Sequence, residues 1–102
     1  MVKIRNIELG DFPLLLAPME DVSDPPFRAL CKQYGADLMY TEFISSEGLT
    51  RDAAKSRQKL DIFEYERPIG IQIFGSETES MVQSAQIIEA VQPDLIDINY
   101  GC

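Results

Sequence analysis

Short apolar blocks alternate with helix-like stretches along this sequence, and few folds can accommodate such a pattern. The blocks begin at Leu14, Leu38, Ile69 and Leu95, and each is of strand length. The first block, Leu14-Leu15-Leu16-Ala17, is continuously apolar, which is typical of a strand buried on both faces. Strands that alternate with helices join through right-handed crossovers into a parallel sheet. The sequence therefore predicts four β/α units of roughly 25–30 residues each, with the last helix absent.

Two arrangements of parallel β/α units compete for this pattern. A closed barrel of eight strands and about 250 residues has the same repeat length, and this chain would then be its first half. An open, doubly wound sheet is the alternative, but no Gly-x-Gly-x-x-Gly sequence follows the first strand. We therefore predict an α/β fold, the first half (about four β/α units) of a parallel TIM (β/α)8 barrel.

The first helix is predicted from its end signals. Asp24 followed by Pro25 is typical of an N-cap with proline in the first turn. Gly35 favours the left-handed conformation that ends many helices. Within this helix we expect Arg28 to be a surface or supporting residue rather than a ligand contact, and Cys31 to lie in the core.

The second half of the chain predicts two further helical regions. Segment 45–66 is crowded with charge and predicts a helix with an irregular connection. Ser76 and Glu79 have the spacing of a capping box and predict the start of a helix. The segment that begins at Gln92 is predicted to end this helix. The apolar positions of that helix share one stripe: Met81, Val82, Ala85, Ile88 and Val91.

Composition restricts the classes of protein and partner. The chain has 102 residues, 45% of them hydrophobic, which is ordinary for one small globular domain. No apolar run approaches a membrane span, and the amino terminus lacks the apolar block of a signal peptide. Two cysteines do not make a disulfide framework, so we expect a cytoplasmic protein. The net charge of −8 argues against this segment alone binding a nucleic-acid backbone, and without histidine we expect no metal site.

Polar side chains on the last two strands are candidates for a binding site. Strand parity places Gln72 on the face opposite to the isoleucines of its strand, and Asn99 on the corresponding face of the next strand. Two neighbouring amides suit the edge of a flat heterocycle, because each offers a donor and an acceptor. A purely structural hydrogen-bonded pair inside the barrel fits the same pattern.

Two strand ends offer further candidates. Ala17-Pro18-Met19 would let a planar ligand lie close to the backbone, although such a sequence is also an ordinary strand end. Cys102 follows Gly101 just past the last strand, where α/β proteins place their chemistry. A thiol with a pKa near 8.5 is mostly protonated at neutral pH and can serve as a general acid. An inert cysteine is the alternative.

Several of these segments together resemble the tRNA-dihydrouridine synthases, flavin-dependent reductases with a TIM-barrel fold. They follow the order and spacing of that family from about residue 14 onward. The matching segments are Leu16-Ala17-Pro18-Met19, Val22-Ser23-Asp24, Pro26-Phe27-Arg28, Tyr40-Thr41-Glu42-Phe43, Gln72-Ile73-Phe74-Gly75 and Asp97-Ile98-Asn99-Tyr100-Gly101-Cys102.

The resemblance implies a specific chemistry. FMN would be bound by the backbone of Ala17, Pro18 and Met19 and by Gln72, with Asn99 beside the flavin and the uracil. Cys102 would protonate C5 of a tRNA uridine while reduced FMN passes hydride to C6, and NADPH would re-reduce the flavin.

The resemblance covers only part of that family's pattern. Glu20-Asp21 stands where the family more often has small residues, and the later-strand basic residues, the phosphate-binding glycines and the helical tRNA-binding domain are absent. Residues 1–102 are therefore predicted to be the truncated amino-terminal part of one catalytic domain, with no second domain present, inactive alone and prone to self-association through exposed strand edges. A related flavin barrel such as a dihydroorotate dehydrogenase, or a non-catalytic half-barrel module, remains an alternative.

Overall fold

The computed structural model of the protein describes residues 1–101, and Cys102 lies outside them. The helices and strands follow one another as predicted, with additional short elements. In chain order they are β1 (Val2–Ile4), β2 (Ile7–Gly10), β3 (Leu15–Leu16), α1 (Pro25–Gln33), β4 (Leu38–Tyr40), β5 (Ile44–Ser45), α2 (Ser46–Thr50), α3 (Ala54–Gln58), a 3-10 turn (Glu64–Glu66), β6 (Ile69–Phe74), α4 (Thr78–Val91) and β7 (Leu95–Ile98).

The main sheet is parallel, and its strands stand side by side in chain order. β3 pairs with β4, while β4 and β5 pair successively with the two ends of β6, so they are two parts of one interrupted strand. β7 lies on the other side of β6, with Gln72 opposite Asp97. A doubly wound sheet would reverse its strand order at a switch point, whereas sequential order is that of a barrel. The predicted first half of a (β/α)8 barrel is therefore confirmed.

The predicted first strand is wrong in its length and burial. It has two residues instead of four, and Leu14 and Leu15 are 63% and 47% exposed. Among the described residues β3 has a strand neighbour only in β4, so one edge and part of its surface face solvent. The expectation of a strand buried on both faces assumed neighbours that these residues do not provide.

An antiparallel hairpin at the amino terminus was not predicted. β1 and β2 pair through Ile4 and Ile7, and Arg5 between them has a positive φ of 55°. The alternation of β-branched residues with polar ones was a strand signal, but Arg5-Asn6 is not the glycine-containing turn by which hairpins are usually identified.

The first helix begins as predicted. Asp24 is its N-cap, and the Oδ1 atom accepts from the Phe27 N–H at 3.1 Å. Gly35 follows the helix with φ of +103°, which agrees with its expected role. Arg28 is buried and paired with Glu66, which excludes the surface alternative and leaves the supporting one. The expected core position of Cys31 is corrected, because this residue is only half-buried.

The last helix packs the core but begins later than predicted. Its N-cap is Glu77, which makes no side-chain capping bond, so Ser76 stands outside the helix and the predicted capping box is absent. Ile88 is fully buried and packs in one cluster with Ile71 and Ile73 of β6. Val82, predicted on the apolar stripe, is 53% exposed. Gln92 ends the helix in the left-handed conformation.

Two short helices and a 3-10 turn occupy segment 45–66, in agreement with a helix plus an irregular connection. Ser45 caps α2 by accepting from the Gly48 N–H at 3.2 Å. No helix within residues 1–101 combines the length and apolar character that crossing a membrane requires.

Candidate active site

The parallel strands bring the predicted amides together on one face of the sheet. β6 presents Ile71 and Ile73 to the helical layer, where both are almost completely buried. Parity then turns Gln72 to the opposite face, where its partner across the ladder is Asp97. Asn99 lies two residues beyond Asp97, on the same face. The expected meeting of Gln72 and Asn99 is thus observed.

These side chains form a continuous chain of hydrogen bonds. Gln72 Nε2 donates to Asp97 Oδ2 at 2.6 Å, and Asn99 Nδ2 donates to Gln72 Oε1 at 3.3 Å. The Gly101 N–H donates to Asn99 Oδ1 at 2.8 Å. Because an ionised carboxylate only accepts, Asp97 determines which way each amide is turned. The bonds extend from the strand interior to the residue preceding Cys102.

The two amides retain donors and acceptors that these hydrogen bonds do not use. Gln72 and Asn99 each use one of two N–H groups and one of two oxygen lone pairs in these bonds. Gln72 is 8% exposed, while Asn99 is more open. A heterocycle with a donor next to an acceptor could therefore pair with both amides without breaking their mutual bond.

Tyr40 stands beside this polar face at the end of β4. Its ring lies close over Gly70, where an added Cβ would come within 2.8 Å of two ring carbons. Burial raises the pKa of the Tyr40 hydroxyl above its usual value of 10.0, and the nearby negative charge of Asp97 adds to the increase. Tyr40 is therefore a neutral hydrogen-bonding group throughout the physiological pH range.

The loop after β3 contains the predicted backbone contacts, and its own hydrogen bonds shape it. The Met19 N–H donates to Ser23 Oγ at 2.9 Å. The Met19 carbonyl accepts from the backbone N–H groups of Val22 and Ser23 at 3.1 and 3.0 Å, and from Ser23 Oγ. Both backbone groups of Met19 are therefore engaged within the loop, whereas Ala17 is exposed.

Carboxylates gather on the outer side of the same loop. One oxygen from each of Glu20, Asp21 and Glu42 lies within 4.8 Å of the others. The Asp21 N–H donates to Glu42 at 2.8 Å, and Lys59 Nζ lies 2.6 Å from Glu20. The hydrogen bond from Lys59 is the main cause that lowers the pKa of Glu20 below 4.5, although partial burial opposes it. The unusual acidic pair noted in the sequence is thus partly neutralised by Lys59.

An open groove of about 460 Å³ runs along the carboxyl ends of β5, β6 and β7. Parallel α/β folds bind ligands at this edge. Tyr100 is 90% exposed and offers its ring there. The lining residues are Ser45, Glu47, Phe74, Gly75, Ser76, Asn99 and Tyr100.

Sequence reasoning missed residues that organise this site. Asp97 shares the parity of Asn99, which was a usable signal, but its role as the acceptor that orients Gln72 follows only from the strand register. Arg28 and Ser23 looked like helix-start residues, but both are buried, and Arg28 contacts Glu66, which lies 38 residues away in the chain. The predicted catalytic residue Cys102 lies outside the described residues, directly after Gly101.

Comparison with known proteins shows which family this chain resembles. A family model described as dihydrouridine synthase (Dus) matches residues 15–102. A probable tRNA-dihydrouridine synthase of Aquifex aeolicus is 46% identical over 95% of this chain and 30% of its own length. One of Rickettsia prowazekii is 38% identical over 100% of this chain and 31% of its own. The tRNA-dihydrouridine synthase B of Vibrio vulnificus is 39% identical over 99% and 31%.

The chain thus spans about a third of the length of these curated relatives. The family match covers the whole parallel sheet, including Gln72, Asp97 and Asn99. With that coverage, the chain belongs to the dihydrouridine synthase family.

Proposed function

We propose that the complete protein reduces uridine to 5,6-dihydrouridine in tRNA, with FMN as its cofactor and NADPH as the reductant. The observation on which this proposal chiefly rests is the chain of hydrogen bonds from Asp97 through Gln72 and Asn99 to Gly101. It aligns two amides at the edge of the sheet where parallel α/β folds bind ligands, and it ends at Gly101, the residue before Cys102 in the sequence. The printed names of the relatives favour uridine in tRNA over a free pyrimidine as substrate.

The residues present fit a flavin in their donor chemistry. Gln72 and Asn99 each keep one N–H and one lone pair available, which suits the alternating donors and acceptors of a flat heterocycle. Ala17 and Pro18 would lie against the ring through their backbone. Because the backbone groups of Met19 are used within the loop, Met19 would contribute its side chain. When bound, FMN supplies the hydride that goes to C6 of the uracil, and NADPH then re-reduces the flavin.

Cys102 is proposed as the proton donor. As the C5–C6 double bond is reduced, the C5 position takes a proton from the Cys102 thiol, and the resulting thiolate recovers one from solvent. A cysteine of ordinary pKa is protonated at neutral pH and needs no base for this role. The target uridine must leave its stack to reach this edge of the sheet, which costs a few kcal/mol.

The tRNA is proposed to contact mainly parts of the protein beyond this chain. A net charge of −8 and Glu47 in the groove disfavour binding to phosphates here. The groove fits the base and sugar of the target better than the backbone. A cytoplasmic location follows from a tRNA substrate.

The chain by itself is proposed to be the amino-terminal part of the FMN-binding catalytic domain and to lack activity. TIM barrels commonly bind phosphate through the loops after strands seven and eight, and these four parallel strands do not include that site. The outer edges of β3 and β7 are unpaired within residues 1–101, and such edges promote association with a second copy.

The test of this function separates two half-reactions in the complete protein. Replacing Cys102→Ala removes the acid, and general acid catalysis is typically worth about 10²- to 10⁴-fold. Single-turnover reduction of tRNA uridine should slow by that order, whereas reduction of bound flavin by NADPH should be nearly unchanged. Cys31→Ala is the matched control, because that thiol is half-buried in α1.

Three results would contradict the proposal. Equal losses in both half-reactions would remove the proton-donor role from Cys102, and so would normal uridine reduction by Cys102→Ala. Absence of any flavin from the purified complete protein would reject the proposed activity as a whole.

A further inference from the structure

A buried relay of hydrogen bonds connects the 3-10 turn before β6 to the loop after β3. Glu66, fully buried, accepts from Arg28 Nε at 2.5 Å and from Nη2 at 3.1 Å. Arg28 Nη1 donates to the Ser23 carbonyl at 2.8 Å. Ser23 Oγ in turn accepts from the Met19 N–H. The relay therefore ends at Met19, in the loop segment 17–19 that is proposed to lie against the flavin.

The guanidinium of Arg28 is committed to this relay. It makes four hydrogen bonds, the fourth to the Asp61 carbonyl at 3.1 Å, and only 2% of the residue is exposed. A buried ion pair contributes little net stability compared with apolar packing of the same volume. Its planar, bidentate geometry fixes directions well, because the fork of donors matches the carboxylate.

Ser23 links Arg28 to the backbone conformation of the loop after β3. The residue is completely buried, and its hydroxyl contacts both backbone groups of Met19. Glu66 also accepts from the Phe63 N–H at 2.9 Å, which holds the far end of the relay. The relay thus fixes the position of residues 17–19 relative to the start of β6, the strand that carries Gln72.

We propose that Arg28 and Ser23 are positioning residues that set the segment Ala17-Pro18-Met19 relative to Gln72, so that the segment and Gln72 can contact one flavin ring. This inference rests on the proposed function. It assigns to a buried ion pair an effect on cofactor binding, which neither the fold nor the proton-donor role of Cys102 requires.

Ser23→Ala in the complete protein tests the inference, with Ser84→Ala as the matched control. Ser84 is also completely buried, and its hydroxyl donates to the Ser46 carbonyl at 3.1 Å, but it lies in α4 away from the loop. Both variants should lower the melting temperature, because each removes the hydrogen bonds of a completely buried hydroxyl. Only Ser23→Ala should weaken FMN binding to the deflavinated protein, by about tenfold, because it removes both hydrogen bonds between the Ser23 hydroxyl and the Met19 backbone.

Arg28→Lys is the second variant, since it keeps the charge beside Glu66 but cannot reproduce four directed bonds. It too should weaken FMN binding at a temperature where the protein remains folded. Unchanged FMN affinity in a folded Ser23→Ala or Arg28→Lys protein would overturn the inference, and so would equal weakening in Ser84→Ala. Failure of the unmodified protein to bind FMN would instead reject the proposed function.

Discussion

Removal of the Asp97 carboxylate tests whether this residue orients the amides of the candidate site. In Asp97→Ala, the Gln72 Nε2 group loses its 2.6 Å acceptor, and Gln72 is only 8% exposed in the native structure. A hydrogen bond to a charged group contributes about 1.5–3 kcal/mol. Because Asp97 is only half-buried, water can replace part of that bond, and we expect the lower end. The folding equilibrium should shift by about tenfold.

Asp97→Asn tests how much of this loss of stability depends on the charge of the carboxylate. Its side-chain oxygen can still accept from Gln72, so a neutral bond worth about 0.5–1.5 kcal/mol remains, and the loss should be smaller than in Asp97→Ala by about that amount. The new amide can also donate, which removes the constraint that fixes the direction of Gln72. Asp97→Asn should therefore weaken FMN binding to the complete protein more than its small effect on stability suggests.

Urea-induced unfolding, followed by circular dichroism, measures the stability terms. Asp61→Ala is the matched control, because that side chain is exposed and makes no hydrogen bond to residues 1–101 through its carboxylate. Surface changes of this kind usually stay within about 0.5 kcal/mol. The reasoning is refuted if Asp97→Ala costs no more than Asp61→Ala, or if Asp97→Asn costs as much as Asp97→Ala.

Three further results are expected. Ile88→Ala should destabilise the protein by about 2–5 kcal/mol in urea unfolding because it opens a cavity against β6, whereas Val82→Ala on the exposed face should change little; similar losses would contradict the packing. Burial raises the pKa of Tyr40 in the folded state, so its contribution to the free energy of unfolding is complete below pH 10 and is lost as the pH rises further. Tyr40→Phe should therefore flatten the alkaline limb of a profile of stability against pH. An unchanged limb would argue against the raised pKa. Sedimentation velocity of the isolated chain should show association that grows with concentration, and a compact monomer at every concentration would count against pairing through β3 and β7.

The order of strands and helices could be predicted because it depends on local patterns. β6 begins at the predicted Ile69 and ends at Phe74, since a β-branched run between Pro68 and Gly75 has no competing helical periodicity. The cap at Asp24 and the end at Gly35 were also local signals. The start of α4 was wrong, because Ser76 matches a capping pattern that the chain does not use.

Strand alternation also indicated which side chains of the site would share a face. Gln72 and Asn99 could be paired from parity alone, because successive residues of a strand point to opposite sides whatever the tertiary structure. Their pairing could not be distinguished from a structural contact, and the structure gives them that contact together with unused donors.

By itself the sequence determined the parallel β/α alternation, the polar face of the last two strands and the family, since these depend on residue types at short spacing. Only the tertiary structure decided which way the amides turn, because Asp97 meets Gln72 through strand register. It alone decided that Arg28 is buried, since Glu66 lies 38 residues away in the chain. Contacts at such separations depend on how the chain closes on itself, and no local pattern encodes them.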